Sequence, residues 1–222
     1  MSVHTIVLAA GEGSRMKSKK AKSLQRIGGT SMLHKICTTA GKISPKITLV
    51  VGFDQDSVIK EANEYNLEIS IAQQPKAIGT GDAVKCELTQ VEKESKVLVL
   101  YGDVPLIQED TLRKLTETSD DSLSILTTVL DNPYGYGRVA KDDSGNALSI
   151  VEEKDATDSE REIKQVFTGV LCVNKDLLTE GLSEIKNENA ANEFYLTDLV
   201  SIMNLKGIKI NTCDASNEEV QG

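Results

Sequence analysis

Cysteine is scarce in this 222-residue chain, and its four copies, Cys37, Cys86, Cys172 and Cys213, lie too far apart for a zinc pattern or a compact disulfide framework. They read as reduced thiols of a cytoplasmic protein. Cations are outnumbered: 25 Lys and Arg face 34 Asp and Glu, a formal net charge of -9. That balance excludes general binding to nucleic acid or to an anionic membrane, both of which reward a basic surface. No apolar run is long enough for a membrane span, and the opening "MSVHTIVLAAGEG" lacks both the basic n-region and the full apolar stretch of a signal peptide. No export or anchoring is therefore expected. Histidine occurs only as His4 and His34, at the entry to a first strand and in a helix, where packing or surface roles fit better than chemistry. Internal repeats, low-complexity tracts and linker-like stretches are also missing, so residues 1–222 are expected to share one core.

What is present is an alternation. Apolar runs of strand length recur at Thr5–Ala10, Ile47–Val51, Leu67–Ala72 and Val97–Tyr101. Between and after them come helical spacings over Met32–Gly41, Gln55–Tyr65, Gly81–Val91 and Glu109–Ser119. Such a pattern predicts an α/β fold, a largely parallel sheet with helices on both faces. The texture then changes. "LSILTTVL" reads as a strand, "GRVAKDDSGNALSIVEE" as a hairpin turning at Asp143–Asn146, and "QVFTGVLCV" and "IKINTC" as further strands. Helical segments are predicted at Lys175–Lys186 and Phe194–Leu205. The second half is therefore a mixed, partly antiparallel lobe on a parallel one.

The first strand runs directly into "AAGEGSRM", and small residues there leave the backbone bare. Ligands of open α/β sheets sit beyond the carboxyl ends of the strands, so a polyphosphate could approach the main-chain N–H groups of this loop. A tight turn would use the same glycines. The cations are the further clue: Arg15, Lys17, Lys19, Lys20, Lys22 and Arg26 face one acid, Glu12, and make a positive island on an acidic molecule. "GEGSRMKS" lacks the Gly-Lys-Ser/Thr ending of a P-loop, and Met16 stands where a dinucleotide fingerprint needs its third glycine. Asp103 follows "KVLVLYG" at a strand's carboxyl end, where a carboxylate can hold Mg2+ that also binds substrate phosphates; a plain Gly-Asp turn is the alternative.

"LAAGEGSRM" with the lysine of "KSL", followed in order by "QQPKAIGTGDAV", "VLYGDVPLI", "YGYGRV" with "IVEEKDAT", and "NEFYLTD", resembles the sugar-nucleotide pyrophosphorylases. Within them the chain is most similar to the uridylyltransferase half of the bacterial bifunctional N-acetylglucosamine-1-phosphate uridyltransferase and glucosamine-1-phosphate acetyltransferase. The resemblance implies a Rossmann-like three-layer α/β/α nucleotidyltransferase fold with a mixed central sheet and a partly antiparallel sugar-binding lobe. It implies a Mg2+-dependent reaction of UTP with N-acetylglucosamine 1-phosphate that yields pyrophosphate and UDP-N-acetylglucosamine, a cell-envelope precursor. By similarity Arg15 and Lys22 are catalytic. Leu8, Ala9, Ala10, Gly11 and Gly13 line the nucleotide, Gln74 with Gly79 and Thr80 reads the uracil, and Tyr101, Gly102 and Asp103 lie at ribose and phosphates, with Asp103 the metal ligand. Gly137, Glu152 and Phe167 fall on the sugar side.

Three departures qualify the match. Ala21 precedes Lys22 where a proline is common, and Phe167 replaces an asparagine that hydrogen-bonds the sugar; a phenyl ring packs but cannot pair with a hydroxyl. The chain ends at Gly222, before the segment whose asparagine is the family's second metal ligand and before the left-handed β-helix acetyltransferase domain through which the family trimerises. A fragment forming one nucleotidyltransferase domain, 1–222, and a monomer are expected. Two other readings stay open: a pyrophosphorylase for another sugar 1-phosphate, and a noncatalytic sugar-nucleotide-binding module.

Overall fold

The computed structural model describes residues 2–13, 18, 20–89 and 91–220. The chain opens with β1 (Val3–Ala9), a 3-10 turn at Lys22–Leu24, the short ribbon β2 (Arg26–Ile27) and β3 (Thr30–Ser31), and α1 (Met32–Gly41). Three strand-helix pairs follow: β4 (Lys46–Val51) with α2 (Gln55–Ala62), β5 (Ile69–Gln73) with α3 (Thr80–Lys85), and β6 (Lys96–Tyr101) with α4 (Glu109–Thr116). Next come β7 (Ser122–Val129), β8 (Arg138–Lys141), β9 (Ala147–Val151), α5 (Asp158–Arg161) and β10 (Gln165–Asn174). The chain closes with α6 (Lys175–Glu184), α7 (Asp198–Leu205), β11 (Lys209–Asp214) and α8 (Asn217–Val220).

Among the described residues nine strands share one sheet, ordered β11-β7-β10-β6-β1-β4-β5, with the β8–β9 hairpin joined through β8 to β10. β6, β1, β4 and β5 run parallel, while β10 is antiparallel to both β6 and β7. The sheet is mixed, as expected. Alternation along each strand builds a core on either face. Ile6, Val97, Val99, Leu171 and Val173 pack on the side of α6 and α7, whereas Val7, Leu98, Leu100, Val170 and Cys172 pack on the side of α1 and α4. Both layers draw on both halves of the chain. Strands covered on two faces read as continuous Val, Ile and Leu runs, which is why they stood out in the sequence.

Helix α1 matches its predicted span and is capped by Ser31 Oγ, which accepts from His34 N at 3.1 Å. Other helices are shorter than their periodicity suggested. The segment expected over Gly81–Val91 leaves the helix after Lys85, because Glu87 turns wholly inward and accepts from Thr48 Oγ1 at 3.0 Å, beside His4 Nε2 at 2.9 Å from the same hydroxyl. The segment expected over Phe194–Leu205 starts only at Asp198. Its first residues are held out of the helix by Phe194 N to Ile78 O and Gly81 N to Phe194 O, both 2.8 Å, and by Leu196 N to Thr80 Oγ1 at 3.0 Å. Among the described residues no helix is long and apolar enough to cross a membrane.

Candidate active site

Beyond the carboxyl ends of β1 and β6 lies a cavity of about 380 Å³. It is lined by Leu8, Ala9, Ala10, Gly11 and Gly13 from the glycine loop, Lys22 from the 3-10 turn, Gln74, Gly79 and Thr80 from the entry to α3, and Tyr101, Gly102 and Asp103 from the end of β6. Twelve positions singled out from the sequence as nucleotide-facing or catalytic thus surround one space. Arg15, the remaining catalytic candidate, lies outside the described residues. Lys22 Nζ donates to Asp103 Oδ2 at 2.7 Å, with both side chains about a quarter to a third exposed. Gly13 has φ +61°, and a Cβ there would stand 2.8 Å from Lys22 Cβ, so the bare backbone lets the lysine stem lie against the loop.

Gln74 is buried, and its amide is committed more fully than its sequence position suggested. Nε2 donates to Gly79 O at 3.0 Å and to Asp82 Oδ2 at 2.9 Å, so both hydrogens are engaged and Oε1 is the group left to face a ligand. Gly79 has φ +127°, and a Cβ would come within 2.3 Å of Phe194 O. Burial pushes the Tyr101 phenol well above its ordinary range, with the charge of Glu152 adding to the shift and a hydrogen bond with Thr80 opposing it.

A second cavity, about 250 Å³, adjoins the first and holds the three predicted sugar-side residues, Gly137, Glu152 and Phe167. Lys22, Tyr101 and Asp103 line both cavities. Its wall depends on an irregularity in β10, whose register against β7 shifts between Phe167 and Leu171. There Gly169, at φ +86°, lets the Tyr101 ring rest on bare backbone; a Cβ would lie 2.7 Å from that ring. Glu152 accepts from Thr197 Oγ1 at 2.9 Å, and burial, followed by the charges of Asp155, Asp198 and Glu193, raises its pKa. The loop over this cavity is held by fully buried Arg138, which donates to Glu153 Oε2 at 2.7 Å while Gly135 N donates to the same oxygen at 2.9 Å.

Among the described residues no group of three or more His, Cys, Asp or Glu side chains could hold a metal ion. Asp103 is a single carboxylate at the junction of the cavities. That donor set suits Mg2+, which commonly binds through one or two carboxylates together with substrate phosphates.

Residues 5–155 match the MobA-like NTP transferase domain family. The chain belongs to this family. It is 43% identical over 224 residues to the "Bifunctional protein GlmU" of Caldicellulosiruptor saccharolyticus, covering 98% of this chain and 48% of that protein. The protein of the same name from Francisella philomiragia is 41% identical over 224 residues, covering 100% of this chain and 49% of its own. The chain therefore spans about half the length of the curated relatives it matches. In overall shape it is similar to a Bacillus anthracis chain described as a glucose-1-phosphate thymidylyltransferase and crystallised with sucrose. There the TM-score is 0.74 at 18% identity, covering 97% of this chain and 87% of that one, which supports the Rossmann-like nucleotidyltransferase fold.

In this MobA-like domain, Ser23, Ala77, Ala83 and Glu193 also line the first cavity, and sequence reasoning did not pick them out. Ser23 sits beside Lys22 in the 3-10 turn, and its buried hydroxyl has no partner within the described protein. Adjacency to the lysine was the one signal available. Glu193 lies in "NEFYLTD", but nothing local tied that stretch to the cavity; it arrives from a distant loop through the backbone bonds that tie Phe194 to Ile78 and Gly81.

Proposed function

We propose that this MobA-like domain is a Mg2+-dependent uridylyltransferase that joins UTP to N-acetylglucosamine 1-phosphate and releases pyrophosphate. The observation that carries this reading is the shared wall: Lys22, Tyr101 and Asp103 line both cavities, so a nucleotide in one and a sugar phosphate in the other would meet at a cation and a carboxylate. Similarity to the GlmU proteins over 98% or more of the chain supports the same reading.

A phosphate oxygen of the sugar phosphate attacks the α-phosphorus of UTP, the bond to the β-phosphate bridging oxygen breaks, and pyrophosphate leaves with the electron pair. The nucleophile needs no general base, because a phosphate monoester has a second pKa of about 6. This agrees with the histidines: His4 is buried against Thr48, and His34 stacks on Tyr65 with ring centroids 4.4 Å apart. The protein's work is to align two polyanions and oppose their charge. Lys22 does so from the junction, joined by Arg15 and the glycine-loop N–H groups; its pair with Asp103 is partly exposed and so exchanges partners at little cost. Asp103 would hold Mg2+, which supplies further neutralisation of phosphate charge when bound. Gln74 Oε1 accepts from the imide N–H of uracil. The same reading makes the protein a cytoplasmic one whose partners are UTP and a sugar phosphate.

The test is Mg2+-dependent pyrophosphate release from UTP with N-acetylglucosamine 1-phosphate, glucose 1-phosphate or N-acetylgalactosamine 1-phosphate, with Asp103→Ala as control. Turnover is expected to be strongest with the first sugar and lost in the variant. Phe167 favours a second reading, a different sugar, because it gives the second cavity an apolar wall; a preference for either other sugar phosphate would select it. Silence with all three would leave a noncatalytic binding module.

A further inference from the structure

Lys22 is held in place from a distance. Its neighbour Ala21 is wholly buried, with φ -51° and ψ 140°, and the Ala21 N–H donates to Asp54 Oδ2 at 3.1 Å. Asp54 belongs to the turn between β4 and α2, 33 residues along the chain.

Two features show that this carboxylate is not serving its own helix. Asp54 occupies the N-cap position of α2, where an aspartate ordinarily accepts from the first-turn N–H groups, yet its side chain makes no capping bond. It also adopts the left-handed conformation, φ 53° and ψ 34°, which is unfavourable for a non-glycine residue and persists where the surroundings impose it. The turn is anchored to the glycine loop by Phe53 N donating to Ala10 O at 3.1 Å, and a Cβ on Gly52 would meet that same oxygen at 3.0 Å. The carboxylate thereby ties the lysine turn to the end of β1. At its other end the turn is closed by Gln25 N to Lys22 O at 3.0 Å and by Met32 N to Gln25 O at 2.9 Å.

We infer that Asp54 is a positioning residue: it fixes the backbone of the lysine turn through the Ala21 amide and so sets the Lys22 ammonium at the junction of the two cavities. This rests on the proposed function, in which Lys22 opposes phosphate charge.

The geometry gives the inference a sharp test. The φ and ψ of Ala21 are those of a proline, whose ring would fix φ without any acceptor. A proline ring carbon would also stand where the amide hydrogen now points, well inside contact distance of Asp54 Oδ2. Ala21→Pro and Asp54→Gly should therefore each be harmful alone and compensate one another when combined. Glycine keeps the left-handed turn without strain, so Asp54→Gly removes the acceptor and little else. Asp54→Asn retains an acceptor and tolerates the conformation.

The experiment compares wild type, Asp54→Gly, Asp54→Asn, Ala21→Pro and Ala21→Pro/Asp54→Gly for pyrophosphate release, and the first three for hydrogen exchange at the Ala21 amide. Asp54→Gly is expected to lower kcat about tenfold, in line with loss of one hydrogen bond to a charged acceptor, with KM for UTP little changed. Asp54→Asn should stay within about threefold of wild type on the same scale, and the double variant should exceed both singles. Exchange at Ala21 should quicken in Asp54→Gly and not in Asp54→Asn. A double variant no better than its worse single, or an Ala21 amide equally protected in Asp54→Gly and wild type, would overturn the inference. A wild type silent with every sugar phosphate would defeat the proposed function alone, and the exchange comparison would still decide whether Asp54 holds the lysine turn.

Discussion

Asp198, the first residue of α7, carries a carboxyl group whose pKa is pushed up to about 6, chiefly by burial and secondly by the charge of Asp155. The folded chain therefore binds this proton more tightly than the unfolded chain. The stabilisation is complete below the ordinary carboxyl range and is lost as pH rises through 6. Asp198→Asn is accordingly expected to melt above wild type at pH 8, by roughly 2–4 °C per kcal/mol recovered, with the gap closing towards pH 5; differential scanning calorimetry at the two pH values reads it. At this scale the sequence spoke clearly where a residue type is rare in its local setting. Asp103 stood out because a carboxylate directly after an apolar strand has few structural duties. Gln74 was legible in position but not in use, since the engagement of both amide hydrogens depends on Asp82 and on the carbonyl of Gly79 facing it across the turn.

Helices were legible in existence and less so in extent. Periodicity marked a helix through Phe194 and another through Val91, but a backbone needed elsewhere overrides a favourable pattern. Phe194 stays outside the helix because its N–H and C=O pair with the entry to α3, and α3 stops before Glu87, whose carboxylate reaches inward to Thr48. The same locking leaves no room for a side chain at Gly79. A Cβ there would sit 2.3 Å from Phe194 O and 2.5 Å from Phe194 N, neither of which can move without breaking the lock. Gly145 in the β8–β9 turn also has a positive φ, +86°, but open space around it. Gly145→Ala should cost about 1–2 kcal/mol, the conformational penalty alone. Gly79→Ala should cost more than about 3 kcal/mol, the range reserved for strain or steric conflict in the interior. Urea denaturation of the two variants checks the difference, and only Gly79→Ala should also raise KM for UTP.

For the molecule as a whole, stability rests on the two layers that sandwich the sheet. Leu98 in β6 is fully buried at the point where strands from both halves of the chain meet, with β1 on one side and β10 on the other. Leu98→Ala should cost about 2–5 kcal/mol in the same denaturation measurement, as truncation of a packed core side chain does. The parallel half of the sheet was readable from its strand-helix alternation, and the change of texture after residue 120 announced the mixed half. The place where the halves join was not readable, because β10 and β6 are paired across a long separation that no local pattern encodes. Inserting β10 between β6 and β7 has a consequence during synthesis. Until residue 174 has emerged from the ribosome, β6 presents an open edge, the kind of exposed surface from which misassembly begins. The same strand brings Phe167 and Gly169 to the second cavity, and the Phe194 segment that locks Gly79 and Thr80 at the first emerges later still, so neither cavity is complete on a chain that has only the parallel half.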